Sequence, residues 1–198
     1  KLRKIGKFLI ICMKKKTIKK FGFNLTKDQI KTLKEINFDL SSKIKMFRIL
    51  QGDVGSGKTI VALLSALNVI ESGYQVALMS PTEILATQHY NLAKKIFPNE
   101  IKFRLFTGKT KSVDKKNIIS DLKSSGINMI FGTHSLFQKK TLFNKLGYII
   151  IDEQHKFGVK QRKLLSDKGG SNCDILLMSA TPIPRTLTMT IYGDMDLS

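Results

Sequence analysis

The sequence predicts an α/β fold in which helices cover both faces of a central, mostly parallel sheet. From about residue 26 onward, short apolar runs rich in Ile, Leu, Val, Phe and Met alternate with amphipathic segments of ten or more residues. Such alternation is typical of βαβ units. Most of the apolar runs lack alternating polar positions, which is the pattern of parallel strands buried on both faces. We therefore expect the sheet to lie at the centre of the domain.

Six strands follow from the apolar runs, and a helix is predicted to precede the first of them. Thr26 has the side chain of an N-cap, and the spacing behind it places Ile30, Leu33 and Leu40 on one helix face. The predicted strands cover residues 46–50, 75–80, 102–107, 127–131, 148–152 and 174–179.

Two further helices have readable ends between the strands. One is predicted over 58–72 and closes at Gly73, since glycine readily adopts the left-handed conformation that ends helices. The other begins after Thr82, a second N-cap candidate, runs toward Phe97 and stops at Pro98. Each helix thus follows a strand, as a βαβ unit requires.

The 198-residue chain is strongly basic, with 34 Lys plus Arg against 15 Asp plus Glu and a net charge of +19. Nine of these basic residues, and no acidic residue, fall within residues 1–20. Positive charge favours polyanions such as nucleic acid through counterion release. A Lys-rich composition throughout the chain is the alternative explanation, so the charge by itself leaves both open.

Membrane and disulfide-stabilised classes are disfavoured. The apolar run at 8–13 has six residues, far short of the roughly 20 that span a bilayer, so no membrane association is predicted. Cys12 and Cys173 lie far apart without Cys-x-x-Cys spacing, which supports neither a zinc site nor a disulfide framework and fits a reducing, cytoplasmic setting. Because the chain begins with Lys1, we expect it to be a fragment or to have lost its start, so its N-terminus supports no prediction about targeting.

A glycine-rich loop after the first strand has the spacing of a phosphate-binding P-loop, Gly-x-x-x-x-Gly-Lys-Thr, with an apolar strand before it and a helix behind it. Its glycines let successive backbone N–H groups converge on phosphate oxygens at a helix N-terminus. Lys58 is expected to pair with the β and γ phosphates of ATP, and Thr59 to ligate magnesium. A glycine-rich turn with a chance lysine is the alternative. The predicted loop residues are Gly52, Asp53, Val54, Gly55, Ser56, Gly57, Lys58 and Thr59.

Two acidic residues, Asp152 and Glu153, stand at the end of the apolar strand that starts at Tyr148. In this architecture an acid at the carboxyl end of a strand lies beside the phosphate loop. Asp152 is expected to hold Mg²⁺ through water, and Glu153 to accept a proton from the attacking water as general base. Taken alone, two adjacent acids could equally cap a helix. His155 is either a hydrogen-bonded structural residue or a relay of nucleotide state.

Seven strings, several of them long and uncommon, are spread along the chain: LTKDQ (25–29), QGDVGSGKT (51–59), SPTEILATQH (80–89), TGKTK (107–111), GTHSLF (132–137), IDEQHKFGVKQR (151–162) and SATPIPRTLTMTIYGDMDLS (179–198). Through them the chain resembles the superfamily-2 helicases and translocases, most closely the RecG family of branch-migration helicases. The motor of transcription-repair coupling factors is similar and is the alternative, but the strings DEQHKFGVKQR and YGDMDLS favour the RecG family.

The resemblance implies that residues 23–198 form a RecA-like P-loop NTPase domain, the first ATP-binding lobe of a helicase motor. Residues 1–22 would then be a basic linker or the edge of a preceding domain. Gln29 is implied to contact adenine, with an exposed helix polar residue as the alternative. Ser179, Ala180 and Thr181 are implied to couple hydrolysis to strand movement, or alternatively to cap the next helix, and His155 would belong to the same coupling path if it acts as a relay.

The resemblance also implies a substrate and partners. The function would be ATP-dependent remodelling of branched DNA, such as forks and Holliday junctions, in recombination and repair. The complete protein would add a second motor lobe with arginine fingers and a wedge domain. A nucleotide-dependent binding module without motor action is the alternative of another class. The residues implied to contact nucleic acid, which could instead be helix caps and loop turns, are Pro81, Thr82, Glu83, Gln88, His89, Thr107, Gly108, Lys109, Gly132, Thr133 and His134.

Overall fold

The computed structural model of the chain describes residues 17–137, 141–153, 173–181 and 196–197. After a helical segment at 17–21, the long helices are α1 (Lys27–Ser41), α2 (Lys58–Glu71), α3 (Glu83–Ile96) and α4 (Ser112–Lys123). The strands are β1 (Phe47–Gln51), β2 (Gln75–Met79), β3 (Phe103–Phe106), β4 (Met129–Gly132), β5 (Leu146–Asp152), β6 (Asp174–Ser179) and β7 (Asp196–Leu197). A 3₁₀ turn covers His134–Phe137.

The seven described strands form one sheet in the order β3-β4-β2-β5-β6-β1-β7, and every neighbouring pair is parallel. All six predicted strands are present, with ends shifted by at most two residues. The short strand β7 was not predicted. Because parallel strands all point the same way, their carboxyl ends meet at one edge of the sheet. The α/β prediction with a parallel central sheet is therefore confirmed.

Alternate residues of strands β1 to β6 enter two separate cores, one on each face of the sheet. In β5, Tyr148 and Ile150 pack into the core that α1, α2 and α3 cover, whereas Ile149 and Ile151 pack into the core that α4 covers with Ile118 and Leu122. Helices thus lie on both faces, as predicted. The strands are apolar nearly throughout because helices shield both faces of the sheet from water.

The helix ends agree closely with the sequence signals. Thr26 caps α1, Thr82 caps α3, and Gly73 adopts a left-handed φ of +78° directly after the end of α2. One detail is wrong: Ile30 is 41% exposed, and the buried stripe of α1 is Leu33, Ile36 and Leu40. Ile30 lies in the first turn and at the margin of this stripe, so it turns away from the sheet.

The helical segment at 17–21 packs against the domain and does not extend away from it. Ile18 and Phe21 contact the core under α1 and α2, and Thr17 is fully buried. Lys20 Nζ donates a hydrogen bond to the carbonyl oxygen of Phe97 at 3.2 Å. This part of the predicted 1–22 linker is therefore joined to the lobe, and residues 1–16 lie outside the described residues. Within the described ranges, no helix is both long enough and apolar enough to cross a bilayer.

Candidate functional site

The predicted phosphate loop connects β1 to α2 at the carboxyl edge of the sheet. Gly55 and Gly57 adopt left-handed φ values of +86° and +83°, which only glycine takes readily. A Cβ at Gly52 would lie 2.8 Å from the hydroxyl oxygen of Ser56, and one at Gly57 would overlap the side chain of Gln29. At Gly52 and Gly57 the loop therefore has room for backbone only.

Lys58 and Thr59 begin α2 directly behind this loop. Gly57 occupies the N-cap position, where it offers no side chain to bond the first amide groups of the helix. Lys58 Nζ donates to the carbonyl oxygens of Gly52 at 2.6 Å and Asp53 at 2.9 Å, so the ammonium group lies over the loop. A helix N-terminus with uncapped amides and a fixed positive charge is suited to binding phosphate.

Gln29 connects the first helix to the phosphate loop. Its side-chain oxygen accepts from Thr26 N at 2.9 Å and Thr26 Oγ1 accepts from Gln29 N at 3.2 Å, which completes a capping box at the start of α1. The same side chain donates through Nε2 to the carbonyl oxygen of Ser56 at 2.8 Å. Gln29 thus supports the loop, a role that the sequence did not indicate, and its contact with adenine stays a prediction.

The acidic pair lies at the same edge of the sheet. Asp152 in β5 is level with Met178 in β6, which in turn is level with Leu50 in β1, one residue before the end of that strand. Neighbouring strands are about 4.8 Å apart, so the backbone of Asp152 is roughly 10 Å from β1. β6 lies between the two strands, so the acidic pair and the loop that follows β1 stand two strand spacings apart at this edge of the sheet.

Glu153 has a backbone conformation that is uncommon outside glycine. Its φ is +51°, and its N–H donates to the carbonyl oxygen of Met178 at 2.9 Å, which holds the residue against β6. The side chain is half-exposed, in contrast to the buried Asp152. Left-handed non-glycine residues cost free energy and cluster at functional sites. The turn directs the chain out of the sheet at the position predicted for the general base.

The side chain of His89 contacts one residue of the acidic pair. Its Nε2 lies 2.7 Å from Oδ2 of Asp152, and both residues are only 8% exposed. The side chain points from α3 to the buried carboxylate, a contact that the sequence did not indicate, and the nucleic-acid contact of His89 stays a prediction. Gln88, the preceding residue, is exposed on the same helix.

The residues at this edge suit ATP with magnesium. Thr59 contributes a hydroxyl oxygen and Asp152 a carboxylate oxygen, which are ligands that Mg²⁺ prefers. Because His89 engages only Oδ2, Oδ1 of the same carboxylate receives no hydrogen bond from the described residues. The uncapped helix start and the crowded glycines provide the matching phosphate cradle.

A groove of about 370 Å³ opens beside this site, where β2, β3 and β4 end. It brings together residues from all three segments that the sequence assigned to nucleic acid, although these segments are far apart in the chain. We call it the strand-end groove. Its lining residues are Pro81, Thr82, Glu83, Phe106, Gly108, Lys115, Thr133, His134 and Ser135.

The predicted residues of the groove differ in accessibility. Thr82, Gly108 and His134 are exposed, whereas Thr107 and Thr133 are only 6% and 5% exposed. Both residues make internal hydrogen bonds: Thr133 Oγ1 lies 3.3 Å from Ser135 Oγ, and the backbone N–H of Thr107 donates to Thr110 Oγ1 at 3.0 Å. The buried threonines shape the groove, and the exposed residues form its open surface.

Charged side chains link the walls of the groove. Glu83 Oε1 accepts from Lys109 N at 3.3 Å, with Lys109 Nζ 3.7 Å from Oε2. Lys115 Nζ donates to the carbonyl oxygen of Gly108 at 3.0 Å. Lys115 and Ser135 were missed at the sequence level; their closeness in sequence to the Thr-Gly-Lys and Gly-Thr-His segments is the signal that could have found them.

The predicted coupling segment touches the phosphate loop. Ser179 and Thr181 are joined through their hydroxyl groups at 3.2 Å, and Ser179 O accepts from Gly52 N at 3.3 Å. Gln51 Nε2 donates to the carbonyl oxygen of Thr181 at 3.1 Å. Ala180 lies between the two hydroxyl residues, and His155 lies outside the described residues. A displacement of this segment would therefore alter the hydrogen bond of Gly52, the first glycine of the loop.

The fold and the site define a helicase motor domain. The chain belongs to the DEAD/DEAH box helicase family, whose model matches residues 26–190. It is 53% identical over 186 residues to the ATP-dependent DNA helicase RecG of Aquifex aeolicus, an alignment that covers 93% of this chain and 24% of that protein. The similarity to RecG expected from the sequence strings is confirmed.

Solved structures agree in fold. A structure of RecG bound to a three-way DNA junction is 41% identical and superposes with a TM-score of 0.80, covering 97% of this chain and 25% of that one. The DEAD-box helicase Mss116, bound to single-stranded RNA, shares 21% identity and a TM-score of 0.69 over 93% of this chain and 42% of its own, which supports the RecA-like fold alone. The chain spans about a quarter of the length of the RecG relatives it matches.

Proposed function

We propose that this chain is the first motor lobe of an ATP-dependent DNA helicase that remodels branched DNA, such as forks and Holliday junctions, in recombination and repair. The proposal rests on the observation that all the candidate functional segments lie at the same edge of the sheet. The phosphate loop, the acidic pair, the coupling segment and the strand-end groove all lie where parallel strands end. A nucleotide and a nucleic acid bound at one edge can influence each other through the strand ends between them.

Four residues carry the chemistry of the nucleotide. ATP with magnesium supplies the phosphoryl group and the metal charge that offsets its oxygens. Lys58 holds the β and γ phosphates, and Thr59 and Asp152 hold the metal, Asp152 through water. Glu153 takes the proton of the attacking water. Ser179, which accepts a hydrogen bond from the loop, and Thr181, which is bonded to Ser179, transmit the change that follows hydrolysis.

DNA binds along the strand-end groove in this proposal. The exposed residues Thr82, Gly108, Lys109 and His134 supply a hydroxyl, the backbone amide of Gly108 and positive charge. Such groups bind phosphate and position a strand without reading its bases. The start of α3 adds the partial positive charge of a helix N-terminus. A second motor lobe and a wedge domain would complete the footprint in the whole protein, which we place in the cytoplasm.

Two other functions are less well supported. A transcription-repair coupling factor has a similar motor, but the relative and the DNA-junction structure described above are RecG proteins. A nucleotide-dependent switch would need no second groove beside its phosphate loop. The convergence of three separate segments on one groove favours a protein that also holds a second, extended ligand.

Strand displacement by the complete helicase tests the proposal. Labelled forks, three-way junctions and linear duplexes of equal length would be compared with ATP, without ATP, and with the Lys58→Ala protein. We expect ATP-dependent release of strands from forks and junctions, and little from linear duplexes. Equal activity on linear and branched DNA would contradict the branched substrate, and activity independent of ATP would contradict the motor.

A further inference from the structure

His89 is a buried polar residue that the proposed chemistry does not use. It lies in the second turn of α3, and its Nε2 is 2.7 Å from Oδ2 of Asp152. Both side chains are about nine-tenths buried. An ionised carboxylate only accepts hydrogen bonds, so His89 is the donor in this contact. A buried pair of this kind fixes both side chains, because neither can exchange its partner for water.

The sheet explains why the two residues meet. In β5, Tyr148 and Ile150 point to the face covered by α2 and α3, and Asp152, two residues further, points to the same face. α3 also presents Ala93 and Ile96 to that core. His89 lies one turn before Ala93 and so projects from the same side of α3, toward the end of β5.

We infer that His89 is a positioning residue that fixes the Asp152 carboxylate and links the strand-end groove to the magnesium site; the inference rests on the proposed function. By holding Oδ2, His89 sets the rotation of the carboxylate and directs Oδ1 to the metal side. α3 starts at Thr82 and Glu83, which line the groove. His89 follows Glu83 by six residues, about 9 Å along the helix axis. A movement of α3 caused by bound DNA therefore reaches the carboxylate directly.

Magnesium dependence of nucleotide binding is the first test. Binding of a fluorescent ATP analogue to this chain would be followed while Mg²⁺ is titrated, for wild type, His89→Ala and His89→Gln. Removing an outer partner of a metal-holding carboxylate typically lowers metal affinity by about 10- to 100-fold. We expect the Mg²⁺ concentration for half-saturation to rise at least about 10-fold in His89→Ala. Gln can still donate and should stay within about threefold of wild type.

A matched variant separates positioning from plain loss of stability. Ser65→Ala also removes a buried side-chain hydrogen bond, to Tyr148 at 3.0 Å, but its partners do not include Asp152. It should lower the melting temperature and leave the Mg²⁺ dependence unchanged. If His89→Ala fails to fold, His89→Met takes its place, because it fills the space without a donor.

The second test concerns the link to DNA. In the complete helicase, the Kd for a forked DNA would be measured with and without a non-hydrolysable ATP analogue. The factor by which the ATP analogue changes the Kd should approach one in His89→Ala and stay at its wild-type value in His89→Gln. The inference would be overturned if His89→Ala left both the Mg²⁺ dependence and the effect of the ATP analogue on DNA binding unchanged. It would also be overturned if His89→Gln lost both to the same extent as His89→Ala. Absence of magnesium-dependent ATP binding in wild type would instead contradict the proposed function.

Discussion

At the residue scale, the head group of Lys58 is held in place by the phosphate loop itself. Its ammonium group has three N–H donors, and two of them reach the carbonyl oxygens of Gly52 and Asp53. The third remains for a ligand above the loop. The lysine is thus oriented by the backbone that also presents the amide groups, which reduces the entropy lost when a nucleotide binds.

Replacement of Lys58 by Ala should therefore weaken ATP binding without unfolding the domain. A hydrogen bond to a charged group contributes about 1.5–3 kcal/mol, so we expect the Kd to rise by roughly 10- to 150-fold. Calorimetric titration of ATP with magnesium into the variant measures this change. Lys34→Ala, which removes an exposed lysine of α1, is the control. Wild-type affinity in Lys58→Ala would show that the loop does not bind phosphate in this way.

Glu153→Gln tests the general base in the complete helicase. The amide can still bond water but cannot take its proton, and general-base catalysis typically contributes about 10²- to 10⁴-fold. ATP should bind with nearly unchanged affinity while the DNA-stimulated kcat falls by at least about 100-fold. Phosphate release and nucleotide titration measure the two quantities separately. Hydrolysis within a few-fold of wild type would assign the proton transfer to another group.

At the element scale, the sequence predicted the strands better than their arrangement. Six apolar runs became six parallel strands, because burial on both faces leaves a signal in each run alone. Their order in the sheet depends on contacts between runs that look alike, so it could not be read from the sequence. α4 has only Ile118 and Leu122 buried, and its weak periodicity gave no helix of its own in the prediction.

The same distinction applies to the candidate site. The phosphate loop and the acidic pair are local strings, and the structure places them at one edge as expected. Gln29 contacts Ser56, which lies 27 positions further along the chain. His89 contacts Asp152, which lies 63 positions further along the chain. No local pattern encodes such pairs. The sequence therefore grouped His89 with its neighbours Pro81, Thr82, Glu83 and Gln88 as a residue implied to contact nucleic acid.

Gly132 at the end of β4 is expected to tolerate no side chain. A Cβ there would overlap the carbonyl oxygen of Phe106 in β3 and crowd Leu136. Gly132→Ala should lower the free energy of unfolding by about 1–3 kcal/mol and weaken DNA binding, because the ends of β3 and β4 carry two walls of the strand-end groove.

Urea denaturation and fluorescence anisotropy with forked DNA measure these two effects. Gly126→Ala is the matched control, since a Cβ at Gly126 would meet its nearest neighbour at 3.4 Å and the residue lacks a left-handed φ. We expect its stability to change by less than about 1 kcal/mol, as at other compatible sites. If Gly132→Ala behaved like Gly126→Ala, the close approach of β3 and β4 would not limit the groove.

At the scale of the whole molecule, the described residues form a candidate nucleotide site but direct no arginine at its phosphate loop. The described residues include two arginines. Arg48 is buried in β1 and pairs with Asp39 at 2.6 Å and Glu35 at 3.1 Å, which ties α1 to the sheet. Arg104 lies in the edge strand β3 and donates to the carbonyl oxygen of Phe103. Neither is directed at the phosphate loop.

We therefore expect this chain alone to bind ATP but to hydrolyse it very slowly, with little effect of DNA. An arginine finger is worth about 10³- to 10⁵-fold in kcat, so turnover should be at least about 10³-fold below that of the complete helicase. The net charge of +19 should still give weak DNA binding that falls steeply with salt. Steady-state phosphate release, with and without forked DNA at low salt, measures the first effect, and anisotropy across a salt series the second. Fast, DNA-stimulated turnover by the chain alone would mean that it contains every group the reaction needs.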